Sequence, residues 1–143
     1  MLKKFSFVCI LSGLLAACGS SNDRPLGEFS EDLTTAIGVN GYLWRASLDA
    51  VAELPLLSAN PASGTILTDW FINPEAPTER LKIAVFVLDR ALRADALRVS
   101  VTRQELKSGV WIDAEVRAGT ELEIEDVILG GAREMRIQTI RKD

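Results

Sequence analysis

The segment RLKIAVFVLDR, residues 80–90, decides the fold, because its apolar residues recur with the period of two that is typical of a β-strand. One face of this predicted strand is apolar along its length and carries Leu81, Ile83, Val85 and Val87. The opposite face begins polar and becomes apolar, with Lys82, Ala84, Phe86 and Leu88. Apolar residues on both faces indicate a central strand. We therefore expect this strand at the centre of a sheet, with its far end buried on both sides.

The segment that follows carries further strand signals. Residues 97–104, LRVSVTRQ, alternate strictly between apolar and polar, which predicts one covered and one solvated face. Residues 94–96, ADA, are interpreted as a turn or a short helical connection. Ser108 and Gly109 predict a turn into a last short strand.

The segment that precedes residues 80–90 predicts a β-hairpin with a longer loop. Residues 56–59 and residues 65–71 have strand character. Between them lie the turn-forming residues Asn60, Pro61 and Gly64.

A first helix is predicted upstream of this hairpin. Its mostly apolar stripe consists of Leu43, Trp44, Ser47, Leu48 and Val51. Asn40 is a plausible N-cap, since its side chain can accept a hydrogen bond from the first turn. Pro55 is expected to end the helix.

A second helix is predicted from Thr120 onward. Thr120 and Glu123 have the spacing of a capping box. The expected inner stripe consists of Ile124, Val127, Ile128, Gly131 and Met135. Gly130 and Gly131 suggest a close approach of this helix to the sheet, with a kink as the alternative.

These elements predict an α+β fold. The order is a helix, four to five mostly antiparallel strands and a C-terminal helix, with both helices packed on one face of the sheet. A chain of 143 residues fits one such domain, which we place at residues 33–143.

The N-terminal segment has the order of a secretory signal peptide. Lys3 and Lys4 precede an apolar run over residues 5–15, and the small residues Ala16 and Ala17 follow. The run is shorter than the roughly 20 residues of a membrane-spanning helix. Residues 1–17 are therefore interpreted as a signal peptide and excluded from the fold.

The four residues LAAC, 15–18, resemble the lipobox of bacterial lipoproteins. The resemblance implies cleavage between Ala17 and Cys18, a diacylglyceryl thioether on Cys18 and acylation of the new amino terminus. Several acyl chains give stable membrane anchoring. The alternative is an ordinary cleaved signal peptide with an incidental cysteine. Residues 18–32, polar and rich in Ser, Asp, Glu and Gly, are interpreted as the lipidated cysteine and a flexible tether.

Cysteine content and charge limit the classes of function. Cys9 lies in the segment to be removed, and with Cys18 modified the mature domain has no free thiol and no disulfide. Removal of Lys3 and Lys4 changes the formal charge from −4 to −6. An acidic domain is a poor candidate for binding nucleic acid or anionic lipid headgroups.

The residue types that carry most catalysis and metal binding are missing. The chain contains no histidine, and the mature domain has no thiol, which excludes Ser-His-Asp sites, Cys-His sites and zinc sites of His and Cys. We expect no metal and no other cofactor. The remaining catalytic option is a pair of carboxylates drawn from Asp69, Asp89, Asp95 and Asp113. We interpret these as solvated residues of turns and strand edges and expect no enzymatic activity. If Asp69 faces the helices, it requires a partner such as Arg45 or Arg80.

The aromatic residues suggest a second kind of site. Tyr42, Trp44, Trp70, Phe71 and Trp111 are candidates for a groove between sheet and helices or for a recognition surface. The alternative is that Trp44 and Trp70 are core residues that join the first helix to the sheet. Trp111 is the best candidate for an exposed contact. Candidate partner or ligand contacts are therefore Trp111, Trp70, Asp69 and Tyr42.

Four segments resemble a family of bacterial lipoproteins described as a domain of unknown function. They are GVNGYLWRASLDAV (38–51), GTILTDWF (64–71), ERLKIAVFVLDRALRADALRVSV (79–101) and AREMRI (132–137). A weaker likeness is to the helix-grip domains of the C lipoprotein of the outer-membrane β-barrel assembly machinery, where a helix with a tryptophan precedes a hairpin ending in a pair like Asp69 and Trp70.

The leading hypothesis is a non-enzymatic lipoprotein domain that faces the periplasm and binds another envelope protein, in outer-membrane assembly or maintenance. The alternative is a carrier or sensor that holds a hydrophobic ligand in a groove between sheet and helices. Gly19 follows the cysteine, where an Asp is associated with inner-membrane retention, so the outer membrane is preferred.

Overall fold

The computed structural model describes residues 38–141, so Ala17, Cys18 and the tether lie outside the described residues. Within residues 38–141 there are two helices and six strands, which confirms the α+β prediction. In chain order they are α1 (Gly41–Ala50), β1 (Leu56–Asn60), β2 (Thr65–Thr68), β3 (Phe71–Ile72), β4 (Glu79–Val87), a 3₁₀ turn (Ala94–Ala96), β5 (Leu97–Lys107), β6 (Val110–Ala114) and α2 (Thr120–Ile140).

The strands form one antiparallel sheet in the order β1-β2-β4-β5-β6, with β3 also paired to β4. The central position predicted for β4 is confirmed. The sheet has one strand more than expected, because the predicted strand over residues 65–71 is interrupted after Thr68. There the Asp69 carboxylate accepts the Trp70 N–H at 2.7 Å, which keeps that donor out of the sheet ladder.

The hydrophobic core lies between the two helices and one face of the sheet. The sheet contributes Ile66, Val85, Val87, Leu97 and Val99, and the helices contribute Leu43, Trp44, Ile128, Leu129 and Ala132. The expectation that the far end of β4 is buried on both sides was wrong, since Leu88 is 59% exposed and Phe86 is only half-buried. Both helices pack on the other face, so neither of them covers this one.

The N-cap predicted for α1 is confirmed and also joins two parts of the domain. The Asn40 Oδ1 accepts the Leu43 N–H at 2.9 Å, as a capping side chain does. Its Nδ2 donates to the Arg90 carbonyl at 2.8 Å, and its backbone N–H donates to the Asp89 carbonyl at 3.1 Å. The helix ends at Ala50, earlier than the expected stop at Pro55.

The start of α2 differs from the prediction. Gly119 occupies the N-cap position with a positive φ of 87°, and Thr120 is already helical. The capping box is therefore absent, and the Glu123 carboxylate instead pairs with Arg117.

The inner face of α2 is also shifted from the predicted stripe. Val127 is 67% exposed, whereas Leu129 and Ala132 are buried. The close approach at Gly131 is to α1, because a Cβ added there would lie 3.6 Å from the Ala46 Cβ.

One buried polar group in α1 predicts a stabilising substitution. The Ser47 side chain is fully buried and its Oγ has no hydrogen-bond partner. Because an unsatisfied buried hydroxyl destabilises the folded state, Ser47→Ala should raise the free energy of unfolding by about 1 kcal/mol. Urea denaturation measures this, with the exposed Ser100→Ala as control. A clear loss of stability in Ser47→Ala would contradict it.

Candidate functional site

The sheet has an open face, on the side opposite the helices. Antiparallel partners point to the same side, so the strand register identifies this set. On β4, β5 and β6 it carries Arg80, Lys82, Ala84, Phe86, Arg98, Ser100, Thr102, Gln104, Leu106, Trp111 and Asp113. We call this set, together with Trp70, the open face.

Two tryptophans enclose an arginine on the open face. The Arg80 guanidinium carbon lies 4.4 Å from the ring centroid of Trp70 and 4.4 Å from that of Trp111. The Lys82 ammonium lies 4.8 Å from the Trp70 centroid. Cation–π contacts of this kind contribute about 0.5–1 kcal/mol each at exposed sites. The stack joins the segment after β2 to the last hairpin across β4.

A row of hydrogen bonds fixes the orientation of the guanidinium. Arg80 Nε and Nη2 donate to the Gln104 Oε1 at 2.8 and 2.6 Å. Gln104 Nε2 donates to the Asp113 Oδ1 at 2.8 Å. The row follows the register, because Gln104 is the direct partner of Arg80 on one side and of Asp113 on the other. The side chain of Arg80 is thus held between the rings before any ligand arrives.

The open face is cationic on an acidic chain. It carries Arg80, Lys82 and Arg98 against one carboxylate, Asp113, whereas the whole chain has a formal charge of −4. No ion pair of Lys82 or Arg98 is found within residues 38–141. On the helix side of the sheet, by contrast, Arg103 pairs with Glu79 and Glu105, both at 2.9 Å. This difference leaves the open face able to receive carboxylates.

The structure brings together two of the residues singled out in the sequence. Trp70 and Trp111 meet through Arg80, so Trp70 is not a core anchor, whereas Trp44 is buried in the core. Tyr42 lies elsewhere: it is half-buried on α1 and packs against the core. Asp69 adjoins Trp70 but is exposed, so it does not face the helices.

Arg80, Lys82 and Gln104 were missed as site residues by sequence reasoning. The alternation in residues 80–90 did place Arg80 and Lys82 on one face of the strand. The sequence alone does not show the strand register that places Gln104 beside Arg80. It also does not show the fold that stacks Trp70 on the Arg80 guanidinium.

The candidate carboxylates contact an arginine, an amide side chain or the backbone. Asp89 and Asp95 both pair with Arg93, at 3.0 and 3.1 Å, in the connection between β4 and β5. Asp113 is on the open face, and Asp69 lies beside Trp70. Within residues 38–141 no group of three His, Cys, Asp or Glu side chains is placed to hold a metal ion.

Asp89 has a pH-dependent role in the connection between β4 and β5. Hydrogen bonds from the N–H groups of Arg90 and Ala91 hold the pKa of the Asp89 carboxyl below its usual value. A pKa lowered by folding stabilises the folded state above the unfolded pKa, and this stabilisation is lost as the pH falls through the folded pKa.

Asp89→Asn should therefore flatten the acid side of the stability profile. The variant keeps an acceptor oxygen but cannot titrate, so its free energy of unfolding should fall less than that of the native chain below about pH 5. Denaturation between neutral and acid pH measures the difference. Parallel profiles for the two chains would contradict this assignment.

A second feature is a groove between the sheet and the start of α2, with a volume of about 490 Å³. Its apolar lining consists of Leu81, Val101, Val116 and Ala118. Its two guanidiniums are already paired with carboxylates, Arg103 with Glu79 and Arg117 with Glu123. The groove thus offers an apolar floor without a free cation.

Comparisons with known proteins support membership of a family described as a domain of unknown function. A family model described as Domain of unknown function (DUF3576) matches residues 37–137. The chain is similar to Uncharacterized protein RP420 of Rickettsia prowazekii (strain Madrid E), with 35% identity over 121 residues that cover 82% of this chain and 71% of that protein. No solved structure matches. Neither helix of residues 38–141 has the length and apolar character needed to cross a bilayer.

Proposed function

This chain belongs to the DUF3576 family, and we propose that it has a role in binding. The description of the family names no activity, so the proposal rests on the residues of the open face. The protein is a lipid-anchored envelope protein that faces the periplasm and has no enzymatic activity of its own. Its open face binds an acidic, extended segment of another envelope protein.

The stack of Trp70, Arg80 and Trp111 on the open face carries this proposal. Tryptophan and arginine are enriched among the residues that dominate binding energy at interfaces. A guanidinium already oriented by Gln104 loses little conformational freedom on binding. The cations Lys82 and Arg98 favour a partner of negative charge.

The membrane anchor rests on the N-terminal sequence. Cys18 follows a basic and apolar segment in the order of a lipoprotein signal, and Gly19 after it favours the outer membrane. The element order and the pair Asp69 and Trp70 support a likeness to the helix-grip domains of the β-barrel assembly machinery. On this basis the partner takes part in outer-membrane assembly or maintenance.

Cys18→Ser should release the protein from membranes, because one side chain carries the attachment of the diacylglyceryl group. Cys9→Ser is the matched control, since Cys9 lies in the segment predicted to be removed. Fractionation of cells into soluble and membrane parts measures both variants. Membrane retention of Cys18→Ser would contradict the anchor.

The chemistry of the open face can be tested with a defined probe, a short peptide of alternating Glu and Val. The chain has three tryptophans, and Trp44 in the core is an internal reference for the two on the open face. In a nuclear magnetic resonance titration of the Cys18→Ser chain, the indole signals of Trp70 and Trp111 should shift while that of Trp44 stays. A peptide of alternating Lys and Val should leave all three unchanged. Equal shifts with both peptides would overturn the proposal.

A hydrophobic-ligand carrier is the second candidate, favoured by the groove at the start of α2. Its volume falls within the range of about 300–1,000 Å³ that is typical of ligand sites. Native mass spectrometry of the purified chain should then show a bound lipid, and Ala118→Trp should remove it by filling the groove. If the native chain shows only the mass of the protein without a ligand, this candidate function is contradicted.

A further inference from the structure

The free edges of the sheet are protected to different degrees. The outer strand β1 follows Pro55 and has an irregular register between Leu56 and Ser58, two features that discourage pairing with another chain. The first half of β5, residues 97–102, has no partner strand in β6 and is covered by α2 instead. The Glu125 carboxylate accepts the Val99 N–H at 2.8 Å, and the Glu121 carboxylate accepts the Val101 N–H at 2.9 Å. The edge strand β6 contains no proline or lysine, and its register with β5 is regular.

The outward backbone groups of β6 follow from its hairpin. Lys107 pairs with Val110 across the two-residue turn at Ser108 and Gly109, so these two residues exchange hydrogen bonds. Alternation then directs the N–H and C=O groups of Trp111 and Asp113 away from β5. Within residues 38–141, no other backbone or side-chain group bonds to these four groups outside the sheet ladder.

We propose that β6 pairs antiparallel with β6 of a second copy of the chain, about a two-fold axis at Ile112. In this register Trp111 lies opposite the partner's Asp113, and the two strands exchange four backbone hydrogen bonds. Ile112 lies opposite the partner's Ile112 in a pair without hydrogen bonds, where Cα atoms approach to about 4.5 Å. Two sheets become one, and the two open faces become continuous.

The side chains of β6 favour a second copy as the occupant. Asp113 lies opposite tryptophan and not opposite its own counterpart, so no like charges face each other. On the helix side of the strand, Val110 and Ile112 are 62% and 47% exposed. The pairing places Val110 beside the partner's Ala114 and the two Ile112 side chains together, which removes this apolar surface from water.

Disulfide trapping tests the register. In the full chain with Cys9→Ser and Cys18→Ser, Ile112→Cys should form a covalent dimer on mild oxidation, because the two-fold axis brings the two thiols within bonding range. Val110→Cys is the matched control, since it lies opposite Ala114 and far from its own counterpart. Non-reducing electrophoresis should show at least about tenfold more dimer for Ile112→Cys. Equal yields, or no dimer for Ile112→Cys, would overturn the proposal.

A proline variant tests the edge hydrogen bonds. Asp113→Pro removes an outward N–H and leaves the inward bonds to β5, whereas Asp113→Ala keeps that donor. Sedimentation of the full Cys18→Ser chain should give a dimer, which Asp113→Ala retains and Asp113→Pro loses. A monomeric parent chain, or a dimer that survives Asp113→Pro, would contradict the pairing.

Discussion

Gly64→Ala is expected to lower the free energy of unfolding by about 3 kcal/mol, the largest effect of any single methyl group that we predict for this domain. Gly64 has a φ of +67°, a conformation in which a Cβ costs about 1–2 kcal/mol. A Cβ at this position would also overlap the Val87 carbonyl oxygen and lie 2.9 Å from the Val39 Cγ1. To relieve this overlap, the backbone at residue 64 must move away from β4, which breaks the 2.8 Å hydrogen bond from the Val87 N–H to the Gly64 carbonyl.

Substitutions of two other glycines distinguish the two causes of this loss of stability, the positive φ and the close contact. Gly109 has a φ of +81° and nothing within 4 Å of an added Cβ, so Gly109→Ala carries only the conformational cost. Gly130 is helical with open space around it, and Gly130→Ala should stabilise α2 by about 1 kcal/mol. Urea denaturation ranks the three variants. If Gly64→Ala costs no more than Gly109→Ala, the close contact with β4 does not exist.

The double variant Lys82→Glu and Arg98→Glu is expected to weaken binding of the acidic peptide by about tenfold or more. Both cations lie on the open face, so their reversal replaces attraction by repulsion across the whole site. Neither belongs to an ion pair within residues 38–141, so the loss of stability should be limited to the cation–π contact of Lys82 with Trp70, about 0.5–1 kcal/mol.

The matched control reverses two exposed cations of α2, Arg133→Glu and Arg136→Glu. It changes the net charge by the same amount at a distance from the open face. Fluorescence titration with the peptide of alternating Glu and Val compares the two double variants. An equal loss of affinity in both would show a general effect of charge and would contradict a site on the open face.

Local patterns predicted the elements better than their ends. Asn40 was recognised as a cap because its hydrogen bond to Leu43 spans only three residues. The capping box at Thr120 has the right spacing, but Arg117 lies close enough to pair with Glu123. Such competition depends on the path of the loop before α2, which spacing alone does not reveal.

The candidate site was predicted only in part, because it too depends on contacts that local spacing does not reveal. The sequence analysis named Trp111 as an exposed contact, but the structure leaves it half-buried against Arg80. The sequence also placed Trp70 at the end of a strand. Their meeting through Arg80 depends on the register of three strands and on the interruption after Thr68. A period of two shows which residues share a face but not which residues of separate strands are neighbours.

Photo-crosslinking in cells tests the central claim most directly. A photoreactive residue replaces Ser100, which is exposed on the open face, or Val127, which is exposed on α2 as the matched control. We predict that the full lipid-anchored chain captures a defined envelope protein from Ser100, and that Lys82→Glu with Arg98→Glu abolishes this product. Capture of the same protein at equal yield from Val127, or of none from Ser100, would contradict the claim that the open face is the binding surface.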